Sequence, residues 1–189
     1  GISNDCSKIM MIDKNIDWDN LGFNAHKTKS MFKAYYSPIT GWQKEGLVPY
    51  GDVILSPAST ILNYGQGIFE GTKAYKTSRD RVVCFRLKEN EKRFSISSER
   101  MCIPILPKNL FSEAIKKVII DNLDYLPSKD QGSLYVRPIA YGEGPMLGVK
   151  ASKFYTFLIY VTPVGSYFKS GLKSLNTIVT DKYHRVATK

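Results

Sequence analysis

Histidine is nearly absent from this chain of 189 residues: His26 and His184 are the only two. Neither has a ligand partner at metal spacing, so nothing in the sequence supports a metal centre. Cysteine is scarce as well. Cys6, Cys84 and Cys102 are odd in number and widely spaced, and two lie inside apolar runs, Val82-Val83-Cys84-Phe85 and Met101-Cys102-Ile103. That usage favours buried thiols over a disulfide framework and points to a reducing, intracellular compartment. No apolar run approaches the ~18 residues of a membrane-spanning helix. The most apolar stretch, Phe154 to Val164, carries Thr156, Tyr160 and Thr162 and reads as a buried strand; no hydrophobic signal segment stands at Gly1-Ile2-Ser3-Asn4-Asp5. Acidic residues are outnumbered, 17 against 27 basic, for a net charge of +10. The basic residues are nevertheless dispersed with acids between them, without a basic block or a zinc-finger or RNA-binding signature. This argues against a nucleic-acid partner and leaves attraction for small anionic ligands as the implication of the charge.

What is present suffices for a folded α+β domain. With 43% hydrophobic residues the chain can bury a substantial core. Branched and aromatic content predicts strands over Val48–Leu55, Arg81–Arg86, Ser133–Tyr141, Tyr155–Val164 and Ser174–Asp181. Between Phe111 and Leu123, apolar Phe111, Ala114, Ile115, Val118, Ile119 and Leu123 recur at helical spacing and predict an amphipathic helix. An earlier helix, less periodic, is expected from about Asn90 to Met101, ending near Pro104, and Thr77 to Arg81 reads as a polar turn. Glycines and serines between Pro163 and Gly171 interrupt the apolar pattern. The expected organisation is therefore one domain over residues 1–165, a linker over 166–173 and the start of a second domain over 174–189.

The segment from Asn63 to Tyr75, NYGQGIFEGTKAY, interleaves glycines with aromatics where a strand would otherwise run. Gly65, Gly67 and Gly71 weaken a strand unless a bend or a close approach needs them, while Tyr64, Phe69 and Tyr75 supply broad apolar faces. Residue pattern alone leaves two readings open, a glycine-kinked core strand and the wall of a site. Tyr135 and Arg137 are two apart on an expected strand and emerge on one face, beside Pro138; that pattern fits a site or a half-exposed edge strand equally. Taken alone, Arg93 reads as a solvated helix residue, and Tyr167 as an aromatic packing a linker.

In order along the chain, the segments DWDNLGF (17–23), NYGQGIFEGTKAY (63–75), FRLKENEKRF (85–94), RMCIP (100–104), LYVRP (134–138), GPMLGV (144–149), YTFLIYVTPVGSYF (155–168) and YHR (183–185) resemble the branched-chain aminotransferases. The resemblance, strongest to plant-like members, covers nearly the whole chain from Asp17. Leu87 departs from it, standing where that family has proline. The family comprises pyridoxal-phosphate enzymes of the class IV, D-amino-acid aminotransferase-like fold. The resemblance implies a small N-terminal domain with a mixed or antiparallel sheet and two helices, followed by a truncated second domain. It further implies pyridoxal 5'-phosphate as cofactor and a homodimer that transfers the amino group of Leu, Ile or Val to 2-oxoglutarate, giving glutamate, by a ping-pong exchange between pyridoxal and pyridoxamine phosphate.

Residue by residue, Arg93 matches the arginine that holds the cofactor phosphate. Phe23 and Phe69 match pocket walls, Tyr135 and Arg137 border the substrate pocket, and Tyr167 matches the tyrosine of the PVG-x-YF segment. Tyr64, Leu147 and Val149 match positions supplied to the neighbouring subunit. The resemblance places the imine-forming lysine roughly six residues beyond Lys189, so the expectation is an active parent and a 189-residue polypeptide inactive by itself. A different class IV enzyme (a D-amino acid aminotransferase or an aminodeoxychorismate lyase) and a non-catalytic relative are the alternatives. Plastid, mitochondrial and cytosolic members share these motifs.

Overall fold

Branched and aromatic residues from Ser133 to Glu143 and from Phe154 to Val164 make two strands of 11 residues each. They pair antiparallel along their whole length, Ser133 opposite Val164 and Glu143 opposite Phe154. The computed structural model describes residues 16–165, 174 and 176–182. In chain order its elements are strands β1 (Ser30–Ser37) and β2 (Gly41–Pro49), helix α1 (Thr60–Tyr64), strands β3 (Gly67–Phe69), β4 (Thr72–Lys76) and β5 (Val82–Cys84), helices α2 (Leu87–Arg100) and α3 (Leu110–Asp121), and strands β6 (Ser133–Glu143) and β7 (Phe154–Val164). All pairings in the single sheet are antiparallel, in the order β2-β1-β7-β6-β4-β5, with β3 also on β6.

Alternation along the strands gives the sheet two faces. Ala34, Leu134, Val136, Ala140, Phe157, Ile159 and Val161 turn to one side and are buried. There α3 covers them with Leu110, Phe111, Ala114, Ile115, Val118 and Ile119, all buried in turn. Phe94 of α2 closes the core, its ring 5.1 Å from Phe111 and 5.5 Å from Phe157. Tyr135, Arg137, Tyr141, Thr156, Tyr160 and Thr162 occupy the opposite face, where Tyr135 pairs with Thr162 and Arg137 with Tyr160. That face carries the polar chemistry.

The expected amphipathic helix is α3, and the earlier helix is α2, starting three residues before Asn90. Other elements differ from expectation. Of Val48–Leu55 only Val48 and Pro49 lie in a strand, because Pro49 cannot donate to a ladder and β2 runs backward from it. The strand over Arg81–Arg86 shrinks to Val82–Cys84, since Arg86 turns left-handed at φ 50° ahead of α2. Ser174–Asp181 forms no strand among the described residues 174 and 176–182, where no partner strand pairs with it. Cys102 is not a buried thiol: it sits exposed at φ 55° in the turn after α2, while Cys84 is half-buried and burial pushes its thiol up. Among the described residues no helix is long and apolar enough to cross a membrane.

Candidate functional site

The glycine-aromatic segment resolves into four pieces. α1 ends at Tyr64, Gly65 closes it in the left-handed region at φ 64°, β3 runs to Phe69, and β4 resumes at Thr72. β3 and β4 keep one register against β6, with Phe69 opposite Ile139 and Thr72 opposite Val136. Glu70 and Gly71 therefore interrupt what would otherwise be a continuous strand, across from Pro138 and Arg137. Pro138 has no N–H to donate, so only its carbonyl serves this point, accepting from the Glu70 N–H at 3.0 Å.

This interruption has consequences on both sides of the sheet. On the polar face, Phe69 lies under Arg137, whose guanidinium carbon is 4.5 Å from that ring's centre and 5.2 Å from the Tyr135 ring. Arg137 Nη2 donates to the Tyr135 hydroxyl at 2.8 Å. Phe23 meets Tyr135 edge-on at 5.5 Å. Gly71 makes room for the phenol: a Cβ there would stand 2.3 Å from the Tyr135 oxygen. Arg137 Nε is buried and has no hydrogen-bond partner. Four residues expected in a site, Phe23, Phe69, Tyr135 and Arg137, thus form one aromatic-guanidinium cluster with an unspent donor.

On the helix side, Glu70 receives Arg93 of α2 as a fork, Nε to Oε1 at 2.9 Å and Nη2 to Oε2 at 3.0 Å. Asn90 Nδ2 adds bonds of 2.8 Å to the same carboxylate and 3.1 Å to the Gly71 carbonyl. Burial pushes the Glu70 carboxyl up, but the Arg93 and Asn90 hydrogen bonds outweigh it and hold the group below its ordinary value. Arg93 itself is well exposed beside a groove of about 440 Å³ that Lys73, Arg86 and Asn90 also line. Lys73 and Tyr75 continue into a second groove of about 550 Å³ bordered by Leu21, Gly22 and Gly165. Glu89 also lines the groove at Arg93, 3.7 Å from Arg86, but three cations against this one carboxylate leave the lining net positive, which suits an anionic group. Glu70 and Asn90 were not singled out from the sequence; the (i, i+3) spacing of Asn90 and Arg93 on one helix face was the available signal.

Tyr64, Leu147 and Val149 belong to another patch. The Tyr64 hydroxyl donates to the Leu147 carbonyl, and residues Leu147 and Val149 are 84% and 86% exposed. Tyr167, Arg185 and Lys189 lie outside the described residues.

The fold is that of the class IV aminotransferases. A solved structure, the T.th. branched-chain amino acid aminotransferase with pyridoxamine 5'-phosphate, superposes with a TM-score of 0.57 at 28% identity, over 77% of this chain and 43% of that one. The curated homologues of the chain are branched-chain amino acid aminotransferases. The chloroplastic aminotransferase 2 of Humulus lupulus is 42% identical over 170 residues, 90% of this chain and 42% of that protein. The mitochondrial aminotransferase 1 of the same plant is 42% identical over 173 residues, 92% of this chain and 44% of that protein. The chain thus spans less than half the length of these relatives. No family model matches it.

Proposed function

We propose that this chain forms the small domain of a pyridoxal 5'-phosphate-dependent aminotransferase that acts on Leu, Ile and Val with 2-oxoglutarate as the acceptor. In this reading residues 1–165 are that domain, 166–173 the linker and 174–189 the start of the cofactor-binding domain. One observation carries it: two guanidinium groups, Arg93 and Arg137, are held on either side of the same strand interruption, Arg93 exposed with its Nη1 free of hydrogen bonds among the described residues and Arg137 with a buried Nε that has no hydrogen-bond partner. The cofactor's electron-withdrawing ring supplies the stabilisation of the carbanion at the amino acid's α-carbon. Arg93, with Lys73 and Arg86 nearby, meets the charge of its phosphate.

Arg137 and Tyr135 orient the substrate carboxylate, with Phe69 and Tyr135 fixing the guanidinium plane. Phe23 and Phe69 offer apolar walls to a branched side chain, each buried methylene being worth about 0.8 kcal/mol. Such walls separate Leu, Ile and Val only weakly. Tyr167 would complete the pocket. Tyr64, Leu147 and Val149 serve the site of a second subunit, in keeping with the exposure of the last two.

The test is glutamate formation from 2-oxoglutarate with Leu, Ile, Val or D-Ala as donor, in the cofactor-loaded full-length aminotransferase and its Arg137→Lys variant. The reading expects branched L-amino acids to be used and KM for the donor to rise at least tenfold in the variant, because lysine offers no planar fork to a carboxylate. Preference for D-Ala, or an unchanged KM, would overturn it.

A further inference from the structure

Three consecutive residues at the strand interruption serve three purposes. Phe69 lies under Arg137, Gly71 clears the Tyr135 phenol, and Glu70 turns to the other side of the sheet and meets α2. Glu70 is tied at both ends: its N–H to the Pro138 carbonyl on β6, its carboxylate to Asn90 and Arg93. Its side chain is only 13% exposed, whereas that of Arg93 is 58% exposed. A carboxylate fixed to the sheet thus holds a guanidinium that would otherwise sample many rotamers above the helix.

The geometry of the fork matters. A guanidinium has five N–H donors in one plane, and Glu70 takes the edge formed by Nε and one Nη2 hydrogen. The edge shared by Nη1 and Nη2 is left, and Nη1 makes no hydrogen bond among the described residues. We propose that Glu70 is a positioning residue for the anion clamp: it orders Arg93 so that the free edge of the guanidinium meets the phosphate of the cofactor. This rests on the reading that Arg93 binds that phosphate.

Coulomb's law and positioning predict effects of opposite sign. A carboxylate next to a phosphate site repels the ligand, so if charge alone mattered, neutralising Glu70 would tighten phosphate binding. If Glu70 orders Arg93, neutralising it weakens binding. Dissociation constants for pyridoxal 5'-phosphate and for pyridoxal, which lacks the phosphate, decide between them in the intact protein and in Glu70→Gln, Glu70→Asp, Arg93→Gln and the Glu70→Gln/Arg93→Gln double variant. Thermal unfolding of each variant confirms that it is folded. Glu70→Asp keeps the charge but withdraws it by one methylene, and provides a second test should Glu70→Gln not fold.

The expected result is a loss of about tenfold or more for pyridoxal 5'-phosphate in both Glu70 variants, with pyridoxal within about twofold and no further loss from Glu70→Gln once Arg93 is Gln. Equal or tighter binding of pyridoxal 5'-phosphate in Glu70→Gln, or the same loss persisting in the Arg93→Gln background, would overturn the proposal. If Arg93→Gln weakens the phosphorylated cofactor while Glu70→Gln does not, only the role of Glu70 falls. If Arg93→Gln itself changes nothing, the phosphate reading falls and the Glu70 proposal with it.

Discussion

Two tyrosines on the polar face show how burial sets residue chemistry here. Tyr141 on β6 is buried beside Glu143, and burial first, then that carboxylate, pushes its phenol up to about 12. Tyr35 on β1 is also pushed up to about 12, by burial and then by its hydrogen bond to Glu45. Both phenols keep their protons more tightly folded than unfolded. Their contribution to stability is therefore complete below the ordinary tyrosine value of 10.0 and is lost as pH rises from there through about 12. The midpoint of thermal unfolding should fall more steeply over that alkaline window in wild type than in a Tyr35→Phe/Tyr141→Phe variant, as followed by circular dichroism. Equal slopes would show that neither phenol is shifted.

At the scale of elements, the join between α3 and β1 depends on a side chain with no apolar character. Asn122, fully buried, accepts from the Lys29 and Ser30 N–H groups at 2.9 and 3.1 Å. Its Nδ2 donates to the Ser30 carbonyl at 3.1 Å and the Val118 carbonyl at 2.7 Å. Asn122→Ala takes this partner from the Lys29 and Ser30 N–H groups and the Ser30 carbonyl, while Val118 keeps the backbone N–H of residue 122, and should cost about 2–4 kcal/mol in denaturant unfolding. Lys29→Ala removes the neighbouring exposed ion pair to Asp121 and should leave the denaturant midpoint nearly unchanged. Comparable losses in the two variants would contradict this ranking.

The same scale shows what the sequence disclosed. α3 was readable because its apolar residues follow the helical period, and β6 and β7 because both are long and rich in branched and aromatic residues. β1 and β2 were not. β2 is an edge strand with much of its length exposed, and the bulge at Lys33/Ala34, where Gly46 takes φ 93°, breaks its alternation. In the candidate site, the spacing of two put Tyr135 and Arg137 on one face but fitted an edge strand equally well, and only the resemblance assigned them to a pocket. The partnership of Glu70 with Arg93 depends on a strand interruption opposite Pro138, information that lies far away in the chain and in the sheet register.

At the scale of the whole molecule, the residues assigned to the site fall into two groups: Arg93 near the strand interruption, and Tyr64 with exposed Leu147 and Val149 in another patch. If the working protein is a dimer and the second group serves the partner's site, two defective chains can repair each other. In a heterodimer of a Tyr64→Ala chain with an Arg93→Gln chain, the site on the first chain has its own Arg93 and the other chain's Tyr64, both intact. The remaining site lacks both, and each homodimer has two defective sites. Random exchange of equal amounts makes half of the dimers mixed, so transaminase activity should rise toward about a quarter of wild type. Mass spectrometry of the exchanged species confirms that mixing has occurred. Activity that stays at the sum of the two separate variants after exchange would show that Tyr64 works within its own chain, and the exposed Leu147 and Val149 would then need another explanation.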